Sequence, residues 1–189
     1  MDPPAVETPD GSGTRDAFDE FVRRRSMHLL RLALLLTASN LASAQDLVQI
    51  ALERAYRRRW LLFREGGSAE PYVRKMLVNA AIDARRVLHR RAEVPLEYAR
   101  HERVDDRTAQ LADRDLLLRA LSSLPSKQRA VLVLRYWEDL SDGEIASTLN
   151  CRVTTVRSQA SRALARLRQV TGLASAERTN YSNAGEQHE

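Results

Sequence analysis

With 189 residues the chain has room for one ordinary domain or two small ones, and its single cysteine, Cys151, excludes a disulfide framework or a cysteine-clustered zinc site and suits a reducing cytoplasm. Seven glycines and a 5% aromatic share argue against a sheet-rich enzyme with a phosphate-cradling loop. The net charge of +5 is unevenly spread: residues 1–22 carry −5, while 23–64 carry +7, 74–91 carry +5 and 151–170 carry +5, the footprint of a chain that meets a polyanion in more than one place.

Residues 1–13, with Pro3, Pro4, Pro9, Gly11 and Gly13 and no periodicity, read as a disordered acidic lead-in. A first helix is predicted from Thr14 to about Ser39, carrying Phe18, Phe21, Val22, Leu29, Leu32, Ala33 and Leu36. Its Arg23-Arg24-Arg25, the run from His28 to Thr37 and Ala42-Ser43-Ala44 imitate a secretory leader. An acidic 22-residue stretch precedes them, however, and Arg31 breaks the apolar run, so a half-buried core helix explains the segment better. Nothing approaches the roughly 18 apolar residues of a membrane span, and no membrane insertion is expected.

A second helix is predicted from Ser43, capped by a Ser43–Asp46 box, to about Arg64, burying Leu47, Val48, Ala51, Leu52 and Ala55. Gly66-Gly67 breaks it. Ser68 then caps a third helix to about Arg91, with Pro71 in its first turn and Val73, Met76, Leu77, Ala80, Ala84 and Val87 facing inward. These three helices form a first domain over 14–92. The acid-rich stretch 93–107, opening on Val94-Pro95, reads as a flexible linker.

A second domain is predicted over 108–172. Leu111 to Ser123 is periodic, Pro125 punctuates, and Ser126 to Trp137 is a short helix. A Ser141–Glu144 capping box opens a brief helix, Asp142 to Leu149. Asn150 to Val153 is a break where Asn150 tolerates a left-handed backbone, Cys151 is a buried structural thiol and Thr154 can cap. The last helix runs to Val170 and stops near Gly172, leaving a disordered tail, 173–189. The expected fold class is all-α, two small helical domains joined by a flexible linker.

Two faces suggest nucleic-acid chemistry. Ile145, Ala146 and Leu149, a tight turn, then Val156, Ala160, Leu164 and Leu167 make a helix-turn-helix pattern whose second helix suits the major groove. Opposite its apolar stripe lie Ser158, Ser161 and Arg162, suited to base edges, with Thr154, Thr155, Arg157 and Arg168 around the rim, where the arginines suit phosphates. On the third helix Lys75, Asn79, Arg86 and Arg90 share one side beside the Gly66-Gly67 loop, an arrangement that suits single-stranded nucleic acid. A solvated charged face is the plain alternative for both.

Taken together, Asp46-Leu47-Val48-Gln49, Asn79 and Asp83 before arginines, Leu124-Pro125 with Arg129, Ser141 to Ala146 and Thr155-Val156-Arg157-Ser158 resemble the bacterial sigma-70 family, in its minimal extracytoplasmic-function group. The ending Ser161-Arg162-Ala163-Leu164-Ala165-Arg166-Leu167-Arg168 is similar to an actinobacterial branch, and the likeness spans about residues 14–170. It implies a factor that directs core RNA polymerase to promoters and helps melt them, with no catalytic, cofactor or metal residue of its own. By the same resemblance Asp46, Leu47, Gln49 and Glu53 would dock on the β′ clamp helices, and the second domain would meet the β flap. Arg64, Ser68, Lys75, Asn79, Arg86 and Arg90 would hold the minus-10 element as a single strand, with the 64–70 loop and Asn79 receiving a flipped base. Thr154, Thr155, Arg157, Ser158, Ser161 and Arg162 would read the minus-35 element as duplex. An anti-sigma protein is a further candidate partner. Ile50 departs from the family pattern, standing where an acid is usual.

Two rivals stand beside this reading. An autonomous dimeric helix-turn-helix regulator is disfavoured by the basic N-terminal domain and the lack of a dimer heptad, and an RNA-modifying enzyme by the lack of any acid, nucleophile or metal constellation.

Overall fold

Leucines at helical spacing on α1 (Gly11–Thr37) meet the apolar stripe of α2 (Leu41–Arg57), and α4 (Glu70–Arg91) closes over both, burying Leu32, Ala33, Leu47, Ala51, Val73 and Leu77 among them. The computed structural model describes residues 11–38, 41–63, 69–91 and 108–184. All eight of its helices are α-helical, and there is no strand among the described residues. No single described helix is long and apolar enough to cross a membrane.

The short helix α3 (Arg59–Leu62) was not expected. Arg58, at φ −113° and ψ 18°, ends α2 early and turns the chain so that Phe63 meets Phe18 and Phe21 edge to face, with centroids 5.6 and 5.5 Å apart. That aromatic cluster outweighs continuing the helix to Arg64. At the other end α2 begins at Leu41, so Ser43 lies inside its first turn and not at a cap. α4 begins at Glu70 with Pro71 next, as Pro tolerates in a first turn, while Ser68 and the glycine pair lie outside the described residues. Its buried stripe includes Val78, which the periodicity reading left out, and excludes Ala84, which is exposed.

The C-terminal helices are α5 (Thr108–Ser122), α6 (Ser126–Tyr136), α7 (Asp142–Leu149) and α8 (Val153–Ala184), with Leu124, Val131, Leu134, Ile145, Val156, Ala160 and Ala163 inside. The expected capping box is present at α7. The Glu144 amide donates to Ser141 Oγ at 3.3 Å and the Ser141 amide to Glu144 Oε2 at 2.9 Å. Asn150 ends α7 in the left-handed region, φ 48°. Thr154 falls within the first turn of α8 and does not cap it. Cys151 is half-buried against the core, less enclosed than expected. α8 also passes through Gly172 to Ala184, so the tail from 173 to 184 is helical. An isolated glycine costs about 1 kcal/mol against alanine, a penalty that good helix formers such as Leu173, Ala174 and Ala176 can outweigh.

The segment 92–107, which holds the linker, lies outside the described residues, as do residues 1–10. The two helix groups nevertheless pack against each other, α1 and α4 against α6 and α4 against α7. The centre of this seam is Arg129, fully buried. Its guanidinium donates to the carbonyls of Leu36 (3.2 Å) and Thr37 at the end of α1 and to Leu124 O (3.0 Å) in its own helix group. α1 stops there with Ala38 at φ 46°, leaving terminal carbonyls that a cation is suited to satisfy. Beside it the Glu138 carboxylate, only 4% exposed, sits between His28 Nε2 at 2.7 Å and Arg74 Nη1 at 3.2 Å.

Candidate nucleic-acid and partner interfaces

On α2, Asp46, Gln49 and Glu53 are exposed one turn apart, while Leu47 is buried and supports the helix from beneath. Gln49 and Glu53 edge a shallow groove of about 490 Å³ between α1 and α2, floored by Val22, Leu30, Val48 and Leu52. An apolar floor with polar rims is what a partner helix needs, and Ile50, 41% exposed, adds apolar surface beside Gln49.

α4 brings Lys75 and Asn79 to the surface of the N-terminal group, Asn79 exposed. Arg86 and Arg90 lie further along the same helix, with side chains outside the described ones, and Arg64 lies outside the described residues altogether. Lys75 is half-buried because its ammonium donates to the Ser147 carbonyl of α7 at 3.2 Å, and neighbouring Arg74 is held by Glu138. Lys75 of the basic stripe and its neighbour Arg74 are thus committed to the seam, which spacing along one helix could not reveal. Sequence reading also missed α3, where Trp60 (59% exposed) and Leu61 stand among arginines and the Arg59 guanidinium lies 4.3 Å from the Tyr56 ring.

On α8, Thr154, Thr155, Arg157, Ser158, Ser161 and Arg162 are all exposed, opposite buried Val156, Ala160 and Ala163. The structure brings these six together on one open surface, opposite the apolar stripe as their spacing predicted. Ser158 Oγ donates to Thr155 O at 3.0 Å. Arg157 is tied back: its Nε donates to Asp142 Oδ2 at 3.1 Å, and the other oxygen of that carboxylate accepts from Arg135. Arg157, then Arg135, hold the Asp142 carboxyl below the usual carboxylate range against the opposing effect of partial burial. The carboxylate therefore stays charged at neutral pH, and the tie is lost only as pH falls through that lowered value. No cluster of His, Cys, Asp and Glu able to hold a metal occurs among the described residues.

The family description "Sigma-70 region 2" matches residues 21–91 and "Sigma-70, region 4" matches 114–167. The chain is 42% identical over 152 residues to the RNA polymerase sigma-E factor of Streptomyces coelicolor, covering 80% of this chain and 84% of that one. It is 35% identical to the ECF RNA polymerase sigma factor SigM of Mycobacterium tuberculosis, covering 85% and 80%. Among solved structures it is similar to the sigma factor RpoE of Bartonella quintana, in complex with the anti-sigma factor NepR, with a TM-score of 0.64, 25% identity and coverage of 82% of this chain and 96% of that one.

Proposed function

This chain belongs to the sigma-70 family of RNA polymerase sigma factors, in the extracytoplasmic-function group, and from that premise we propose how its surfaces divide the work. A factor of this kind binds core RNA polymerase, directs it to promoter DNA and assists melting. The observation that carries our assignment is that each family region falls on its own helix group and each group presents exposed polar or basic surface.

The α1–α2 groove, with Asp46, Gln49 and Glu53 on its polymerase-facing side and Leu47 beneath, receives the β′ clamp helices. The second helix group meets the β flap. Lys75, Asn79, Arg86 and Arg90, with Arg64 and Ser68 from the adjoining loop, hold the melted minus-10 strand by backbone charge and capture of an unstacked base. Thr154, Thr155, Arg157, Ser158, Ser161 and Arg162 address the minus-35 duplex, with Ser158, Ser161 and Arg162 at base edges and Arg157 at phosphate. The chain supplies no catalytic group, cofactor or metal and works in the compartment of the polymerase, the cytoplasm. The complex formed by the Bartonella relative supports an anti-sigma protein as a partner class here too.

Because Lys75 donates to Ser147 O and Arg74 to Glu138, the minus-10 face cannot be fully used until the two helix groups part. Each face alone is a small module whose binding is weak and salt-sensitive, and core polymerase fixes both at once. The purified protein should therefore footprint its promoter poorly by itself. With core enzyme it should protect two elements and yield a run-off transcript. A tight sequence-specific footprint without polymerase would transfer the assignment to the autonomous regulator.

Base capture has its own test. Asn79→Ala should reduce transcription from a duplex promoter far more than from one with a pre-melted minus-10 bubble, since the unpairing cost of a few kcal/mol is already met in the second template. Equal defects on both templates would leave Asn79 a structural role only.

A further inference from the structure

We propose that Asp142, the first residue of α7, is a positioning residue for promoter recognition: it sets the guanidinium of Arg157 against the minus-35 phosphate backbone. The inference rests on the reading of α8 given above. Three observations carry it. The Ser141–Glu144 box fixes the start of α7, so the Asp142 carboxylate stands at a defined point where a helix N-terminus favours negative charge. One oxygen is anchored by Arg135 of α6 and the other accepts from Arg157 Nε of α8, so a single carboxylate ties three helices of the helix-turn-helix unit. The exposure is graded, Asp142 at 26% and Arg157 at 70%, so the acid lies behind the arginine.

The bond is to Nε. Among the described residues no hydrogen bond holds the two terminal nitrogens of Arg157. A guanidinium is a planar fork, so holding Nε orients both remaining donor groups together. Ser161 and Arg168 line the same groove, about 370 Å³, which places the held arginine beside a side chain assigned to a base edge. Affinity gained this way comes from reduced conformational freedom and not from added charge, because Asp142 offsets one positive charge on the DNA-facing surface.

That opposition of sign makes the proposal testable. Asp142→Asn keeps a side chain of the same shape but removes the anionic anchor and raises the net charge by one. The holoenzyme, core polymerase with this full chain, would be measured on two duplex probes. One is a fragment enriched by the wild-type holoenzyme from a library randomised at minus-35, and the other is the same fragment with minus-35 scrambled. Asp142→Asn should weaken binding to the enriched fragment by about tenfold, because only there is the duplex held in the register that meets the positioned Arg157, while the scrambled fragment, bound without fixed register, gains from the added positive charge. It should add no further loss on the enriched fragment in an Arg157→Ala background.

Parallel loss on both probes with a lowered thermal midpoint would make Asp142 merely structural. A gain on both would make it a competitor of phosphate. Either overturns the proposal. If Arg157→Ala weakens binding and Asp142→Asn does not, positioning fails while the reading of α8 stands. An Arg157→Ala holoenzyme as tight as wild type would remove the reading and the inference together.

Discussion

Replacing Asp46 by Arg together with Gln49 by Ala is expected to abolish recruitment of core polymerase, and with it the two-element footprint and the run-off transcript. Both side chains are exposed on α2 and Gln49 lines the α1–α2 groove, so neither supports the core and the helical circular-dichroism signal should be unchanged. Charge reversal within an interface acts by placing like charge where complementary charge was arranged, which costs several kcal/mol, enough to lower affinity by more than a hundredfold. The paired control is Ile50→Glu, which introduces the acid that the family resemblance implies at that position and should maintain or strengthen the contact. Co-purification of the double variant with core enzyme at wild-type level would remove Asp46 and Gln49 from the polymerase interface.

The second large effect is on stability. Arg129 is fully buried and serves three carbonyls, two from α1 and one from its own helix group. Arg129→Ala leaves those acceptors without their donor inside the seam. A stranded buried polar group costs about 1–3 kcal/mol, and part of the three is recovered by water entering the gap. A net loss of about 3 kcal/mol is expected, lowering the thermal midpoint by roughly 6–12 °C for a chain of this size. The same change should broaden the distribution of distances between a spin label on α2 and one on α8, because α1 loses its tie to α6. Arg129→Lys, able to reach one of the carbonyls, should fall between. An unchanged midpoint with an unchanged distance distribution would mean that the seam is held without Arg129.

Why some of this was legible and some not follows from the range of the interactions. The cap at Ser141, the left-handed Asn150, the apolar stripe of Val156 and Ala160 and the opposite face of Ser158, Ser161 and Arg162 are matters of three or four residues along one helix. The amino-acid sequence by itself determined them, because helical period and cap chemistry act between near neighbours. It likewise determined the all-α class and the two family regions. Local signals misled where a local preference met a tertiary competitor or a modest penalty. The Ser43 box yielded to an earlier start at Leu41, the expected run to Arg64 yielded to the packing of Phe63 on Phe18 and Phe21, and Gly172 failed to stop α8.

Only the tertiary structure decided what the charged side chains do. Arg129 acts on carbonyls 92 and 93 positions away, Lys75 on one 72 positions away, and Arg74 on a carboxylate 64 positions away. Asp142 meets Arg157 across a turn between two helices. An arginine on a helix face reads the same whether it will meet DNA, a carbonyl or a buried acid. Its side chain is long, and its partner is chosen by the angle at which another helix arrives, which no spacing within its own helix encodes.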